Sequence, residues 1–485
     1  MQPIKILKGT TRATVRIAPS DPAVTYIQMV TKHHLTDYDF NPRYRKYIPN
    51  KKYLHYDADT ASLIVPINAL DLVQAVVTDY GYEFVVVDEP SYTVRDMHVK
   101  MKDSFVPRPH QVDAIEYLKN SEPPRKGLAI QTGSGKTVSA IAGMVAYGKV
   151  GLIAVSRLHH QWAQSIFNFT TATESDVYIV QGYQSLVRAM EMEHKPDIFV
   201  FSLETLREYC RHQSNYLELP PFQKFCEYFG IGFKVFDEVH LNFHACTQID
   251  LSCNIPNNVY LTATFTSGNA STRKIFDLVY PTEMQFGREN VDRYTVAYFY
   301  NFFGNVPEKA VVKLRGYDHK SYERYLLKRP TLLKGFFNDV LHPLIMSHYI
   351  NIKNPGEKLA IFACRLDMVD AIYKWCTEKY PEYKIVKYIG GVPDSVLSCN
   401  EIIITTDKSC GCGTDIPKLR SVINTVSTKS PTAVKQIFGR PRKIPGVTTE
   451  YADICDRNIS AHSRHQESRI YILRPVAKEI KQLQL

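Results

Sequence analysis

The sequence predicts an α/β protein, with two blocks of parallel sheet flanked by helices behind a small α+β block at the N-terminus. Three observations predict it. Apolar runs alternate with helical stretches at the spacing of βαβ units over most of the chain. One of these runs leads through a glycine-rich loop into a helix. Another ends in two adjacent carboxylates, Asp237 and Glu238. A chain of 485 residues has room for about three domains at ~150 residues each. The pattern places them at 1–100, 101–285 and 286–485.

In the first block, β-type runs at 23–30, 62–67 and 82–87 accompany an expected helix over 70–80. The second block reads as strands at 127–131, 150–156, 177–181, 197–202, 233–236 and 259–262, with helices between them. The third continues with strands at 358–363, 383–388, 401–405, 421–425 and 469–473, and a helix over 366–379. No repeat and no low-complexity segment interrupts the pattern.

Composition excludes several classes. Hydrophobic residues are 44% and charged residues 22%, ordinary for a globular protein and unlike a disordered or fibrous one. No stretch approaches the ~18 apolar residues of a membrane helix. The opening residues have no apolar signal segment, so a cytoplasmic location is expected. The ten cysteines show no framework spacing. Cys410-Gly-Cys412 lacks a second ligand pair, so reduced thiols are expected and not a zinc site. Lys plus Arg is 59 against 49 Asp plus Glu, a net charge of +10 that suits a polyanionic partner.

The strongest chemical signal is Gln131-Thr-Gly-Ser-Gly-Lys-Thr137 between a strand and the helical run 138–146. Glycines let the backbone turn so that its N–H groups face phosphate oxygens, and the helix N-terminus adds positive potential. Lys136 is placed for the β- and γ-phosphates and the Thr137 hydroxyl for Mg²⁺. Thr132, Gly133, Ser134 and Gly135 form the cradle. The strict phosphate-loop pattern asks for glycine at 130, where this chain has Ile130. The second signal is Val235-Phe-Asp-Glu-Val-His240. Asp237 at the strand end can hold Mg²⁺ through water, and Glu238 can orient and deprotonate an attacking water. The third is Gln436-Ile-Phe-Gly-Arg-Pro-Arg442, weak by itself.

The order phosphate loop, DEVH, Leu261-Thr-Ala-Thr264 and QxxGR resembles the motifs of superfamily 2 helicases. The resemblance implies two tandem RecA-like lobes with a small accessory domain, and ATP with Mg²⁺ in the cleft between the lobes. It assigns Arg108 and Gln111, in Arg108-Pro-His-Gln111, to the adenine. It assigns Arg157 and Trp162 (Val155-Ser-Arg-Leu-His-His-Gln-Trp162), Ser202, Arg365 and Thr406 to the nucleic acid. His240, Thr262 and Thr264 would couple hydrolysis to strand movement. Gly413 and Asp415, in the run from Thr405 to Asp415, resemble the TxxxxxGxDxP element, with one extra residue before Gly413. Gln436 and Arg440 would act in catalysis, Arg440 as an arginine finger opposite the γ-phosphate. The family's second arginine falls at Lys443, with Arg442 one residue early, so either can fill that role.

Asp39-Phe-Asn-Pro-Arg-Tyr-Arg45 and the helix ending in Tyr80-Gly-Tyr82 resemble the accessory domain of UvsW-like phage recombination helicases. There Arg43, Arg45, Lys46, Lys51 and Lys52 interleave with Tyr44, Tyr47 and Tyr53, a pattern suited to phosphate contact and base stacking. The resemblance implies a monomeric DNA helicase acting on forks, Holliday junctions, displacement loops or R-loops, with no membrane partner and RNA–DNA hybrids as a further substrate. The alternatives are an RNA helicase or remodelling ATPase, the motor of a restriction or transcription complex, and a non-catalytic binding module. Intact Lys136, Asp237, Glu238 and Arg440 argue against the last.

Overall fold

The computed structural model describes residues 3–17, 21–41, 44–57, 60–130, 135–156, 158–211, 219–263, 265, 270–287, 293–313, 316–407, 409–410, 416–441 and 443–485. The chain divides into two compact units, Met1–Asn290 and Val291–Leu485.

The first unit is built on a seven-stranded parallel sheet. Its order is Val177–Val180, Ile198–Ser202, Gly151–Val155, Phe233–Phe236, Asn257–Thr262, Arg125–Ala129 and Gln285–Phe286. The central strands are buried along their whole length, because helices cover both faces. Gly151–Val155 is apolar throughout, while the others also bury polar residues such as Lys126, Lys234 and Asn257, and the expected strands coincide with the observed ones to within a few residues. The strands Arg125–Ala129 and Phe233–Phe236 are separated only by Asn257–Thr262. Their C-terminal ends therefore bring the phosphate loop and the DEVH turn to one edge of the sheet.

The N-terminal block adds a five-stranded sheet in the order His55–Asp57, Ser62–Pro66, Arg12–Arg16, Ile4–Lys8, Phe84–Asp88. A separate hairpin pairs Thr36–Asn41 with Lys46–Lys52. The run 23–30, expected as a strand, is instead the helix Ala23–His34. Its β-branched residues mimic a strand, but Ala23, Ile27 and Thr31 are buried at a spacing of four, which is a helical stripe. The block shares one hydrophobic core with the seven-stranded sheet. Thr11 Oγ1 donates to the carbonyls of Asp250 and Cys253 at 2.9 and 3.1 Å. Arg12 donates to the Leu251 carbonyl at 2.8 Å, and Tyr53 stacks on Phe243 with centroids 4.8 Å apart.

The second unit holds another seven-stranded parallel sheet. Its order is Ile385–Tyr388, Ile402–Thr406, Lys358–Ala363, Leu419–Asn424, Thr449–Asp456, Thr295–Phe302 and Glu479–Gln484. The last three strands were not expected. The run 469–473, expected as a strand, closes the helix Ser460–Leu473. Ala461, His462, Gln466, Arg469 and Leu473 form its buried face at helical spacing. The helix Leu366–Lys379 has the expected bounds. Two helix-flanked parallel sheets and an N-terminal mixed sheet thus make up the fold that the sequence predicts. Among the described residues no helix is long and apolar enough to cross a membrane.

Candidate nucleotide site

Gly135 sits at the start of the helix Lys136–Tyr147 with φ +89°. Glycine is required there twice over. The left-handed backbone disfavours a side chain, and a Cβ would collide with the amide nitrogen of Gln111. Gln111 is buried, and its Oε1 accepts the Arg108 backbone N–H at 2.8 Å, capping the helix Pro109–Lys119. The adenine-reading candidate therefore packs against the base of the phosphate loop, while Arg108 is exposed beside it. Ile130, where the strict pattern has glycine, is packed in the core behind the loop.

Lys136 is largely buried, and its Nζ lies 3.1 Å from Glu238 Oε1. Asp237 is held from the other side by the Trp162 indole N–H at 3.1 Å. Burial first, and then the neighbouring Glu238, push the Asp237 carboxyl up to about 6, with Lys136 opposing. His240 Nδ1 lies 2.7 Å from Thr262 Oγ1 and 3.3 Å from Glu238 Oε2. Burial lowers the His240 pKa, with Glu238 opposing. The turn itself is pinned by two backbone bonds: Asp237 N–H to Ala154 and Val239 N–H to Leu261. Glu238 is held at φ +49°, a conformation that costs a non-glycine residue stability and is found where function imposes it.

These residues fit a Mg–nucleotide. Two adjacent, half-buried carboxylates, one with its pKa raised by burial, form a hard oxygen donor set. Thr137 and Asp237 would hold the ion, which supplies charge neutralisation on the phosphates. Lys136 is within reach of the same pocket.

Several expected residues stand elsewhere. Trp162, expected at the nucleic acid, is 2% exposed, and its indole N–H donates to Asp237. Tyr53, expected to stack on a base, is buried in the core. Tyr44, Arg45, Lys46, Lys51 and Lys52 are exposed on the hairpin as expected, with Tyr44 and Tyr47 60% and 68% exposed. Ser202 is half-buried at its strand end. Thr132, Gly133, Ser134, Thr264, Arg43, Arg157, Gly413, Asp415 and Arg442 lie outside the described residues.

In the second unit, Gln436 lies on the helix Pro431–Phe438, and Arg440 just beyond it is 3% exposed. Lys443 is exposed. Arg365 is held in a two-point pair with Asp367. Thr406 closes a local turn, accepting the Ser409 N–H at 3.1 Å. Glu323 was not singled out from the sequence. Its carboxylate accepts the backbone N–H groups of Cys364 and Arg365, both at 2.7 Å, and fixes the loop after Lys358–Ala363. No local pattern signals a contact across that sequence distance.

The fold and the order of these motifs are similar to those of helicase-type ATPases. Residues 104–267 match the family described as type III restriction enzyme, res subunit. Among solved structures, the DNA-bound type ISP restriction-modification enzyme LlaBIII is 16% identical with a TM-score of 0.52. That match covers 80% of this chain but only 32% of LlaBIII. Dbp5 of S. cerevisiae, bound to RNA and ADP BeF3, is 16% identical with a TM-score of 0.50, covering 78% of this chain and 90% of Dbp5. T4 UvsW is 14% identical with a TM-score of 0.38, covering 100% of both chains. No curated protein matches the chain in sequence.

Proposed function

We propose that the protein is an ATP-driven DNA motor that unwinds or branch-migrates forked and four-way DNA. The observation that carries this reading is the Thr36–Lys52 hairpin, which joins the nucleotide-binding unit and exposes Tyr44 and Tyr47 among Arg45, Lys46, Lys51 and Lys52. Cations there neutralise phosphates, and aromatic faces stack on bases that have left a duplex. A substrate with an opened junction supplies both. Lys136 binds the β- and γ-phosphates and Glu238 takes the proton of the attacking water. His240 and Thr262 join that carboxylate to the neighbouring strand, and Arg440 steadies the charge that develops on the phosphoryl group.

The fold itself does not choose between nucleic acids, since LlaBIII is seen with DNA and Dbp5 with RNA. ATP turnover on single-stranded, duplex, forked and four-way DNA, on RNA and on RNA–DNA hybrids decides the question. The proposal expects the greatest stimulation and strand separation on forked and four-way DNA. Stimulation by RNA alone, or equal rates with and without nucleic acid, would overturn it.

A further inference from the structure

In the second unit, the helix His319–Leu327 and the run that follows it carry an unbalanced charge. Between residues 319 and 334 stand five cations, Lys320, Arg324, Lys328, Arg329 and Lys334, and all five are exposed. The same stretch holds one acid, Glu323, which is 1% exposed. Of the flanking acids, Asp318 caps the helix, accepting the Lys320 N–H at 3.1 Å and the Ser321 hydroxyl at 2.6 Å. Asp339 comes five residues after Lys334. Asp367, on the adjoining helix Leu366–Lys379, is taken by Arg365. Among the described residues none of the five cations is paired with a carboxylate.

Lys320, Arg324 and Lys328 recur at a spacing of four. In a helix each such step turns by about 40° and rises roughly 6 Å, so the three form one stripe. Beside its end, the Arg329 guanidinium lies 3.5 Å over the Tyr325 ring and donates to the Tyr325 carbonyl at 3.3 Å. That cation is held in place before any partner arrives.

The inner face of the helix fastens the stripe to the carboxyl ends of the second sheet's strands. Glu323 accepts the N–H groups of Cys364 and Arg365, which directly follow the strand Lys358–Ala363. His319 Nδ1 accepts the Ser427 N–H at 3.4 Å, three residues past the strand Leu419–Asn424. Open α/β sheets take their ligands at the carboxyl ends of their strands. The helix grips two loops there with one face and turns cations outward with the other.

We infer that Lys320, Arg324 and Lys328 form a contact for the phosphodiester backbone of nucleic acid on the second unit. The inference rests on the proposed nucleic-acid motor and adds to it a surface that no motif of the sequence marks. A face whose acid is buried and whose cations are all outward is complementary to a polyanion. Nucleic acid carries a charge every ~3.4 Å along each strand, dense enough to meet the three cations together.

The test uses the full-length protein and a fluorescein-labelled DNA duplex, with the labelled strand alone as a second probe. Affinity is measured across a salt series for wild type and for Lys320→Ala/Arg324→Ala/Lys328→Ala. Three lost phosphate contacts lower the slope of log K against log salt by about 2.7 on the duplex, or about 2.1 on the single strand. Lys320→Arg/Arg324→Lys/Lys328→Arg keeps the charges and the wild-type slope, which separates loss of charge from loss of fold. Lys5→Ala/Lys8→Ala/Arg16→Ala removes three exposed cations from the N-terminal sheet and also keeps the slope. Wild-type affinity and slope for the triple-alanine variant on both probes overturn the contact. So does an equal fall in the N-terminal control, which would reduce the effect to net charge, and an equal fall in the charge-keeping variant, which would reduce it to a damaged helix. A wild type that binds neither probe, with ATP turnover indifferent to every nucleic acid, overturns the motor reading instead, and the two failures are distinct.

Discussion

Replacing Glu238 by Gln keeps the shape of the side chain and removes its charge. Two effects of opposite sign follow. Glu238 is paired with Lys136 at 3.1 Å, with side chains 15% and 9% exposed. At an effective dielectric near 20, that attraction is about 5 kcal/mol. Desolvation of both groups cancels most of it, and a remainder of about 1.4 kcal/mol corresponds to tenfold in affinity. This remainder opposes ATP, whose phosphates compete with Glu238 for Lys136. Glu238→Gln is therefore expected to bind ATP about tenfold more tightly. Hydrolysis should fall by about 10²- to 10⁴-fold, the range for loss of a general base. Titration with a fluorescent ATP analogue reads the first effect, and phosphate release at saturating nucleic acid reads the second. General damage to the fold would weaken both, so the pairing of tighter binding with slower turnover is diagnostic. Turnover within threefold of wild type, or weaker nucleotide binding, would refute the reasoning.

Arg440→Ala should slow hydrolysis by about 10³-fold or more while changing nucleotide affinity far less; equal loss in both would place Arg440 in ground-state binding. Gln111→Ala should narrow the preference for ATP over GTP, because its amide pairs with adenine as donor and acceptor at once; a wild type that turns over both equally would remove that role. Arg469 donates to Asp453 at 2.6 Å with both side chains fully buried, and also to the Thr428 carbonyl at 3.1 Å. Arg469→Met leaves the carboxylate uncompensated and should cost about 3–5 kcal/mol in denaturant melts; a loss below about 1 kcal/mol would mean that the pair is dispensable. Burial, with His319, Arg469 and His465 nearby, holds the His462 imidazole down at about 2, whereas the unfolded ring titrates near 6.5. The folded value is the lower one, so stability is full above pH 6.5 and declines below it, by about 2 kcal/mol at pH 5. His462→Gln should flatten that decline in urea melts at pH 7 and 5, and an unchanged decline would contradict the assignment.

The parts of this fold legible in the sequence are those whose physics is local. The strand Gly151–Val155, and Ile198–Ser202 up to its final serine, are apolar because both faces of their sheet are covered. The helix Ala23–His34 was misread because Val24, Ile27 and Val30 supply β-branched residues, whereas its burial follows a four-residue spacing. In the helix Ser460–Leu473, a charged residue, Arg469, occupies a fully buried place, so hydrophobicity alone could not trace the buried stripe. Lys136, Asp237 and Glu238 stand out in the sequence because a phosphate loop and an acidic strand end are short motifs, and the fold brings Lys136 and Glu238 to within 3.1 Å. The contact of Trp162 with Asp237 and the packing of Tyr53 on Phe243 join distant segments, and nothing in the spacing of either residue reports its partner.

The backbone of Glu238 has a consequence of its own. A left-handed conformation costs an L-residue roughly 1–2 kcal/mol, and Glu238 sits there at φ +49°, held by the bonds on either side of it. Glycine would relax that turn and raise the resilience of the unit to heat, while deleting the carboxylate. Selection for thermal robustness alone would thus drift toward a chain without the carboxylate on which the proposed hydrolysis depends. A sturdier version of the chain has to be sought at sites other than the turn proposed to carry its chemistry.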